Sequence, residues 1–124
     1  MKNINYYIYT LLLLFIVFIS CEEDNVIPTN ALPVAEFSMN PEAPVKGEPV
    51  VFTDASTDSD GTITSWLWNF GDGTVSQEKN PKYTFNFATG YEVRLTVKDD
   101  KDGEDTIIQE FIVSDPLVPN VPPI

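Results

Sequence analysis

Hydrophobic and polar residues alternate along much of the chain after residue 33, with the two-residue period of β-strands. The clearest case is the segment from Tyr91 to Lys98 (YEVRLTVK), in which four apolar residues alternate with four polar ones. This alternation predicts a strand with one buried face and one face in water, as in an antiparallel sheet. No segment of this region shows the period of an amphipathic helix.

Turn residues divide the same region into short strands. Further strands are predicted at 34–38, 50–54, 62–70 and 106–113, separated by turns rich in Gly, Pro, Asn and Asp. In one of these turns, Gly61 is able to adopt a positive φ. Short strands with regular turns predict an all-β fold, an immunoglobulin-like β-sandwich of about seven antiparallel strands.

Residues 1–20 (MKNINYYIYTLLLLFIVFIS) differ from the rest of the chain in composition. An uninterrupted stretch of twelve residues of low polarity runs from Ile8 to Ile19, after Lys2. As a helix it would rise only about 18 Å, less than the ~30 Å hydrocarbon core of a bilayer. We therefore predict a secretory signal peptide over 1–20.

The single cysteine lies where this apolar block ends. Phe18-Ile19-Ser20-Cys21 resembles a bacterial lipobox, which implies cleavage before Cys21 and attachment of lipid to its thiol. The alternatives are a plain signal peptide with an incidental cysteine, or an N-terminal anchor helix that begins near Ile4. The acidic run at 22–24 resembles the export tag of surface lipoproteins in some Gram-negative bacteria; otherwise it is the solvated start of a linker. The expected location is the bacterial outer membrane, lipid-anchored and facing the cell surface.

These patterns divide the chain into four segments. After the signal peptide, a lipidated cysteine and an acidic, Pro-containing tether occupy 21–33, and the folded domain occupies 34–114. The last segment, 115–124 (DPLVPNVPPI), holds four prolines in ten residues and is expected to be extended, polyproline-like chain.

The composition narrows the classes of function. Nineteen acidic residues against seven basic ones give a net charge of −12, which argues against a nucleic-acid partner, because phosphates require a basic surface. The absence of His and the single Cys exclude His-based acid–base chemistry, Cys–His pairs and intrachain disulfides. Paired carboxylates for hydrolysis stay open on composition alone. A single small sandwich, however, offers little room for a substrate cleft.

Three local patterns follow one another in the predicted domain. They are WNFGDG at 68–73, NPKYTF at 80–85 and YEVRLTV at 91–97. They resemble the WDFGDG, NP-x-H-x-Y and YxVxLTVxD signatures of PKD domains, with Tyr83 in place of the usual His. Asn69 stands where Asp is common, and Gly90 lies directly before Tyr91. The resemblance implies an immunoglobulin-like sandwich outside the cell that serves as a spacer or binding module beside other domains.

The aromatic motif residues have predicted structural roles. Trp66, Trp68 and Phe70 share one strand parity, so they are expected to point together into the core. The alternative for Trp66 is an exposed ring that stacks on sugars. Tyr91 opens its strand where the hydroxyl of a tyrosine corner would bind a loop.

The Gly71-Asp72-Gly73 sequence predicts a tight reversal after the Trp strand. Its glycines permit the backbone to turn, and the Asp72 carboxylate is expected to accept backbone N–H bonds inside the turn. A ligand contact is the alternative for Asp72.

Acidic residues are concentrated in two predicted turns, which an immunoglobulin-like order places at the same end of the sandwich. Carboxylates that converge from two loops suit Ca²⁺, which takes six to eight oxygen ligands. The resemblance adds that some family members, notably in bacterial collagenases, bind calcium. Neither loop has EF-hand spacing, and solvated turn acids without an ion are the alternative. The candidate calcium ligands are Asp58, Asp60, Asp99, Asp100 and Asp102.

Taken together, these patterns predict a non-enzymatic, surface-tethered PKD module that makes protein or glycan contacts or acts as a spacer. The membrane, reached through the lipid, is the expected partner, and no cofactor is expected beyond the candidate calcium. The alternative is the N-terminal fragment of a longer secreted hydrolase or glycan-binding lipoprotein, because the Pro-rich tail has the composition of an interdomain linker.

Overall fold

The computed structural model describes residues 29–117, and this part of the chain contains seven strands. Within this part no helix is long and apolar enough to cross a membrane. The predicted signal peptide, Cys21 and the end of the Pro-rich tail lie outside the described residues. The strands are β1 (Phe37–Asn40), β2 (Pro49–Asp54), β3 (Ile63–Asn69), β4 (Val75–Ser76), β5 (Lys82–Thr84), β6 (Gly90–Asp99) and β7 (Glu104–Ile112).

The strands form two antiparallel sheets. One sheet has three strands in the order β1-β2-β5, and the other has four in the order β4-β3-β6-β7. The predicted all-β, antiparallel architecture is confirmed. The longest pairing joins β6 to β7, from Gly90 opposite Ile112 to Lys98 opposite Glu104.

The alternation in β6 places its apolar side chains between the sheets. Val93, Leu95 and Val97 are fully buried, and Leu95 lies opposite Trp68 of β3 in the strand register. The polar residues between them face outward because successive side chains of a strand point to opposite faces.

Large aromatic side chains from both sheets meet in the core. The Trp68 ring of β3 lies 5.5 Å from that of Phe52 in β2 and 5.1 Å from that of Phe37 in β1, measured between centroids. Each such ring buries about 150–250 Å². The Trp68 indole donates a 2.9 Å hydrogen bond to the Glu78 carbonyl, so the polar atom of this buried residue has a partner.

Two side chains of β7 bridge the sheets along the open edge of β1. The amide of Ala35, just before β1, donates to Asp105 Oδ2 at 2.8 Å, and Gln109 Nε2 donates to the Phe37 carbonyl at 2.9 Å. β1 and β7 are the edge strands of different sheets. These bonds therefore join two edges that no strand pairing connects.

The domain's contacts extend beyond the predicted range of 34–114. Asn30 Nδ2, in the segment assigned to the tether, donates to Asp99 Oδ2 at 2.8 Å. At the other end Asp115 forms a 2.7 Å ion pair with Lys46. The first strand begins later than predicted, at Phe37, since Val34 forms only an isolated bridge with Thr57.

Candidate functional site

The glycine-rich turn after β3 has the tight geometry that its sequence predicts. Gly71 and Gly73 have φ of +84° and +91°, a region that side chains with a Cβ rarely occupy. A Cβ at residue 71 would also lie 2.6 Å from the Glu92 carbonyl oxygen of β6. Asp72 Oδ1 accepts a 3.0 Å bond from the Thr74 amide, so the aspartate stabilises its own turn.

Tyr83 connects this turn to β5. Its hydroxyl lies 2.6 Å from Asp72 Oδ2, and its ring stacks on Phe70 with centroids 4.0 Å apart. Burial and the hydrogen bond to Asp72 raise the pKa of Tyr83. Burial acts to raise the pKa of Asp72, but hydrogen bonds from Tyr83 and Thr74 outweigh it and lower that pKa.

Tyr91 pins the loop that leads into its own strand. The ring is buried, and its hydroxyl donates to the Phe87 carbonyl, four residues earlier, at 3.3 Å. This is the bond expected of a tyrosine corner.

Trp66 lies at the margin of the core. Trp68 and Phe70 are fully buried, whereas Trp66 is half-buried and packs against the core from the side. The Lys79 ammonium lies 5.3 Å from the centre of its ring, a distance at which a cation is attracted to an aromatic face. A sugar that stacked on this face of Trp66 would have to displace Lys79.

The two acidic loops are in contact. The Thr62 amide donates to Asp100 Oδ1 at 3.0 Å, and the Asp100 amide returns a 3.0 Å bond to the Thr62 carbonyl. Lys101 Nζ lies 2.7 Å from Asp60 Oδ2. The structure thus places the loop after β2 and the loop between β6 and β7 at one end of the sandwich.

Glycine at position 61 serves a different purpose from the one expected. Gly61 does not adopt the positive φ that it could take: Gly47, Gly71 and Gly73 are the described glycines with positive φ, and in the β6–β7 loop Asp102 takes this conformation. A Cβ at residue 61 would collide with Asp100 Oδ1 and lie 2.6 Å from Asp58 Oδ2. Glycine is needed at 61 because the two loops pack closely there.

Asp99 is the buried anchor of the β6–β7 loop. Its side chain is 2% exposed and accepts bonds from Asn30 Nδ2 at 2.8 Å, the Lys101 amide at 2.8 Å and the Gly103 amide at 2.7 Å. Burial acts to raise the pKa of Asp99, but these bonds outweigh it and lower the pKa. The carboxylate therefore holds the loop through protein donors.

The oxygen atoms of these two loops are not arranged to coordinate calcium in this structure. The buried oxygens Asn30 Oδ1 and Asp58 Oδ2 have no hydrogen-bond partner, but Asp60 is held by lysine and Asp99 by its three donors. Asp102 is 92% exposed and points to Lys98 Nζ, 3.9 Å away. Between residues 29 and 117, no three acidic or Cys side chains are grouped so that they could hold a metal ion.

Surface hollows of the described domain are open and carry no recognisable catalytic group. One, of about 450 Å³, lies on the outer ends of β6 and β7 and is lined by the residues 90–92 and 110–112. Its acidic side chains are Glu92, which pairs with Arg94 at 3.2 Å, and Glu110.

Comparison with known families assigns the domain. Residues 30–113 match the family model of the PKD domain, and the chain belongs to this family. The match begins at Asn30, the first residue whose side chain contacts the loop pair. PKD domains are non-catalytic modules.

Relatives place the module in much longer proteins. The chain is 43% identical over 87 residues to the pre-pro-metalloprotease PrtV of Vibrio cholerae, a match that covers 70% of this chain and 9% of PrtV. It is 50% identical over 52 residues to the collagenase ColQ1 of Bacillus cereus, covering 42% of this chain and 5% of ColQ1. The solved PKD1 domain of PrtV superimposes with a TM-score of 0.61 at 42% identity, covering 68% of this chain and 99% of that domain. The chain thus spans less than a tenth of these curated relatives' length.

Proposed function

We propose that this chain is a lipid-anchored, non-enzymatic PKD module that acts as a spacer and contact surface at the outer membrane of a Gram-negative bacterium. The observation that supports a spacer is the position of the two ends of the domain. Asn30 contacts Asp99 at one end of the β6–β7 hairpin, whereas Ser114 and Asp115 leave from the other end, beside Lys46. The ten residues of β6 separate these ends by about 33 Å.

The short distance from the candidate lipidation site supports action close to the membrane. Eight residues lie between Cys21 and Asn30, and this segment, fully extended, reaches only about 30 Å. The domain carries a strong excess of acidic residues, so an anionic membrane surface would not attract it. A covalent lipid would therefore supply the attachment, and the multiple acyl chains of a lipidated cysteine hold far more firmly than one.

The anchoring part of the proposal is tested by labelling. Cells that express the full chain or Cys21→Ala are grown with a labelled fatty acid. We expect label on the natural chain and none on Cys21→Ala, which should also remain unprocessed or leave the membrane fraction. A natural chain without label would overturn the lipid anchor. Digestion of intact cells with a protease then separates a surface-facing domain, which is degraded, from a periplasmic one, which survives.

The second candidate function is that of the N-terminal part of a longer secreted hydrolase or glycan-binding lipoprotein. It is supported by the relatives, since PrtV and ColQ1 are a metalloprotease and a collagenase in which the matching segment is a small part of the whole. The DNA downstream of the codon for Ile124 distinguishes the candidates. A reading frame that continues into another domain favours the second, and a glycan and protein array probed with residues 22–124 tests for a contact function in either case.

A further inference from the structure

A lysine side chain joins the two acidic loops. Lys101 Nζ lies 2.7 Å from Asp60 Oδ2 and donates a second bond of 2.8 Å to the Asp60 backbone carbonyl. Lys101 belongs to the β6–β7 loop, and Asp60 lies 41 residues earlier, in the connection between β2 and β3. One ammonium group thus holds a carboxylate and a carbonyl oxygen of the opposite loop.

The charges around Lys101 come from both loops. The hydrogen bond to Asp60 raises the pKa of Lys101, and the negative charges of Asp60, Asp100 and Asp58 act in the same direction. Like charges repel each other, by about 1 kcal/mol per pair at 4 Å even in bulk water. A cation between the loops relieves this repulsion, and here the chain itself supplies that cation.

We propose that the Lys101 ammonium is the resident cation of the acidic loop pair and makes the contact between the loops independent of divalent ions. The misfit with calcium supports this, because the oxygen of Asp60 that faces the opposite loop is already bound by Lys101. A divalent ion would have to displace the ammonium. Removal of Lys101 should therefore weaken the loop contact and leave carboxylates that a divalent ion can bridge.

Lys98 provides a matched control. Its side chain is 39% exposed, against 42% for Lys101, and it also pairs with acids, Glu104 at 2.9 Å and Asp102 at 3.9 Å. These partners belong to the same hairpin as Lys98, whereas Asp60 lies on the other loop. Loss of Lys98 removes a comparable surface charge without opening the contact between the loops.

The test compares melting temperatures of residues 22–124 with the natural sequence, Lys101→Met and Lys98→Met, each in EDTA, in 1 mM CaCl₂ and in NaCl of matched ionic strength. The solved PKD1 domain of PrtV shows that such a domain folds without its neighbours. In EDTA we expect Lys101→Met to melt up to about 4–8 °C below the natural sequence, the shift for an interaction at the top of the range of partly exposed ion pairs in a domain of 60–100 residues. Lys98→Met should fall clearly less, because its acidic partners lie in its own hairpin and no contact between the loops is lost.

In calcium, the natural sequence and Lys98→Met should melt as they do in matched NaCl, whereas Lys101→Met should regain part of its loss. The proposal is overturned if Lys101→Met equals Lys98→Met in EDTA, or if calcium stabilises the natural sequence as much as Lys101→Met. Should Lys101→Met fail to fold, Asp60→Asn takes its place, because it removes the charge partner of Lys101 but keeps an oxygen acceptor. An Asp60→Asn Tm equal to that of the natural sequence in EDTA would then refute the proposal.

Discussion

The Tyr83 hydroxyl donates a 2.6 Å hydrogen bond to Asp72 Oδ2 while its ring lies flat against Phe70. Tyr83 belongs to β5 of the three-stranded sheet, and Asp72 lies in the turn that follows β3 of the four-stranded sheet. One side chain thus joins the two sheets through both a polar and an apolar contact, at the position where the family usually has His.

Tyr83→Phe separates these two contacts. The ring still stacks on Phe70, but Asp72 Oδ2 loses its donor, so we expect a loss of about 1 kcal/mol in the free energy of unfolding, the typical net value of one hydrogen bond. The loss should stay below the about 1.5–3 kcal/mol typical of hydrogen bonds to charged groups, because Asp72 is exposed to water. Urea denaturation measures this difference. A loss above about 3 kcal/mol would show that the hydroxyl does more than bind one carboxylate.

Tyr83→His should make the stability depend on pH between about 5 and 8, where His titrates. A His that gains the Asp72 carboxylate as a partner has a raised pKa in the folded state. Its contribution is fully present below the unfolded pKa of about 6.5 and is lost as pH rises through the folded value. The natural contact should not change in this range, because the pKa of Asp72 is lowered and that of Tyr83 is raised. The measurement is Tm from pH 5 to 9 for both sequences. If the His made no contact with Asp72, Tm would change with pH equally in the two sequences.

Gly71 should tolerate alanine less well than Gly73 or Gly90. Gly73→Ala forces a Cβ into positive φ with no atom within 4 Å, at a cost of about 1–2 kcal/mol. Gly71→Ala adds a close approach of 2.6 Å to the Glu92 carbonyl, for which overpacking costs about 1–3 kcal/mol more.

Gly90→Ala is the control for these two variants, since Gly90 has neither positive φ nor an atom within 4 Å. We expect it to change the free energy of unfolding by less than about 1 kcal/mol. The expected order of unfolding midpoints is therefore Gly90→Ala above Gly73→Ala above Gly71→Ala. Equal midpoints for Gly71→Ala and Gly73→Ala would mean that β6 moves aside at no cost.

Trp68→Ala should destabilise the domain by about 3–5 kcal/mol, the range for a large aromatic residue removed from a core. Trp68 is fully buried between Phe37 and Phe52, and its indole bond to Glu78 is lost as well. Leu67→Ala, one residue earlier on the outward face and 46% exposed, should cost far less. Chemical denaturation of both variants is the measurement, and similar losses would contradict the assigned strand parity.

The sequence predicts the fold well where its pattern is long. The eight residues from Tyr91 to Lys98 in β6 alternate clearly, and the motif around Trp68 indicates both the strand and its turn. β4 and β5 were not predicted separately because two or three residues are too few to show a period. Trp66 shares the parity of Trp68, yet it is half-buried because β4 pairs beside Trp68 and Asn69 but not beside Trp66.

The acidic loops show the limit of local patterns. The spacing of the aspartates indicates that two turns meet, and the structure places them together. Asn30 carried no signal, because its contact with Asp99 spans 69 residues and depends on the whole fold. The sequence does place Lys101 between two acidic residues, Asp100 and Asp102. This position indicates an ion pair but does not indicate that the partner is Asp60.

The hydrogen bonds that join Asp105 and Gln109 to the backbone of Ala35 and Phe37 affect how copies of this domain interact at high concentration. An edge strand with free amides and carbonyls is a template on which another chain can add a strand, and this is a common start of aggregation. Here two of the groups such an incoming strand would need are already occupied by side chains of the same molecule. Many copies packed side by side would therefore find these two groups at the edge of β1 unavailable for strand exchange.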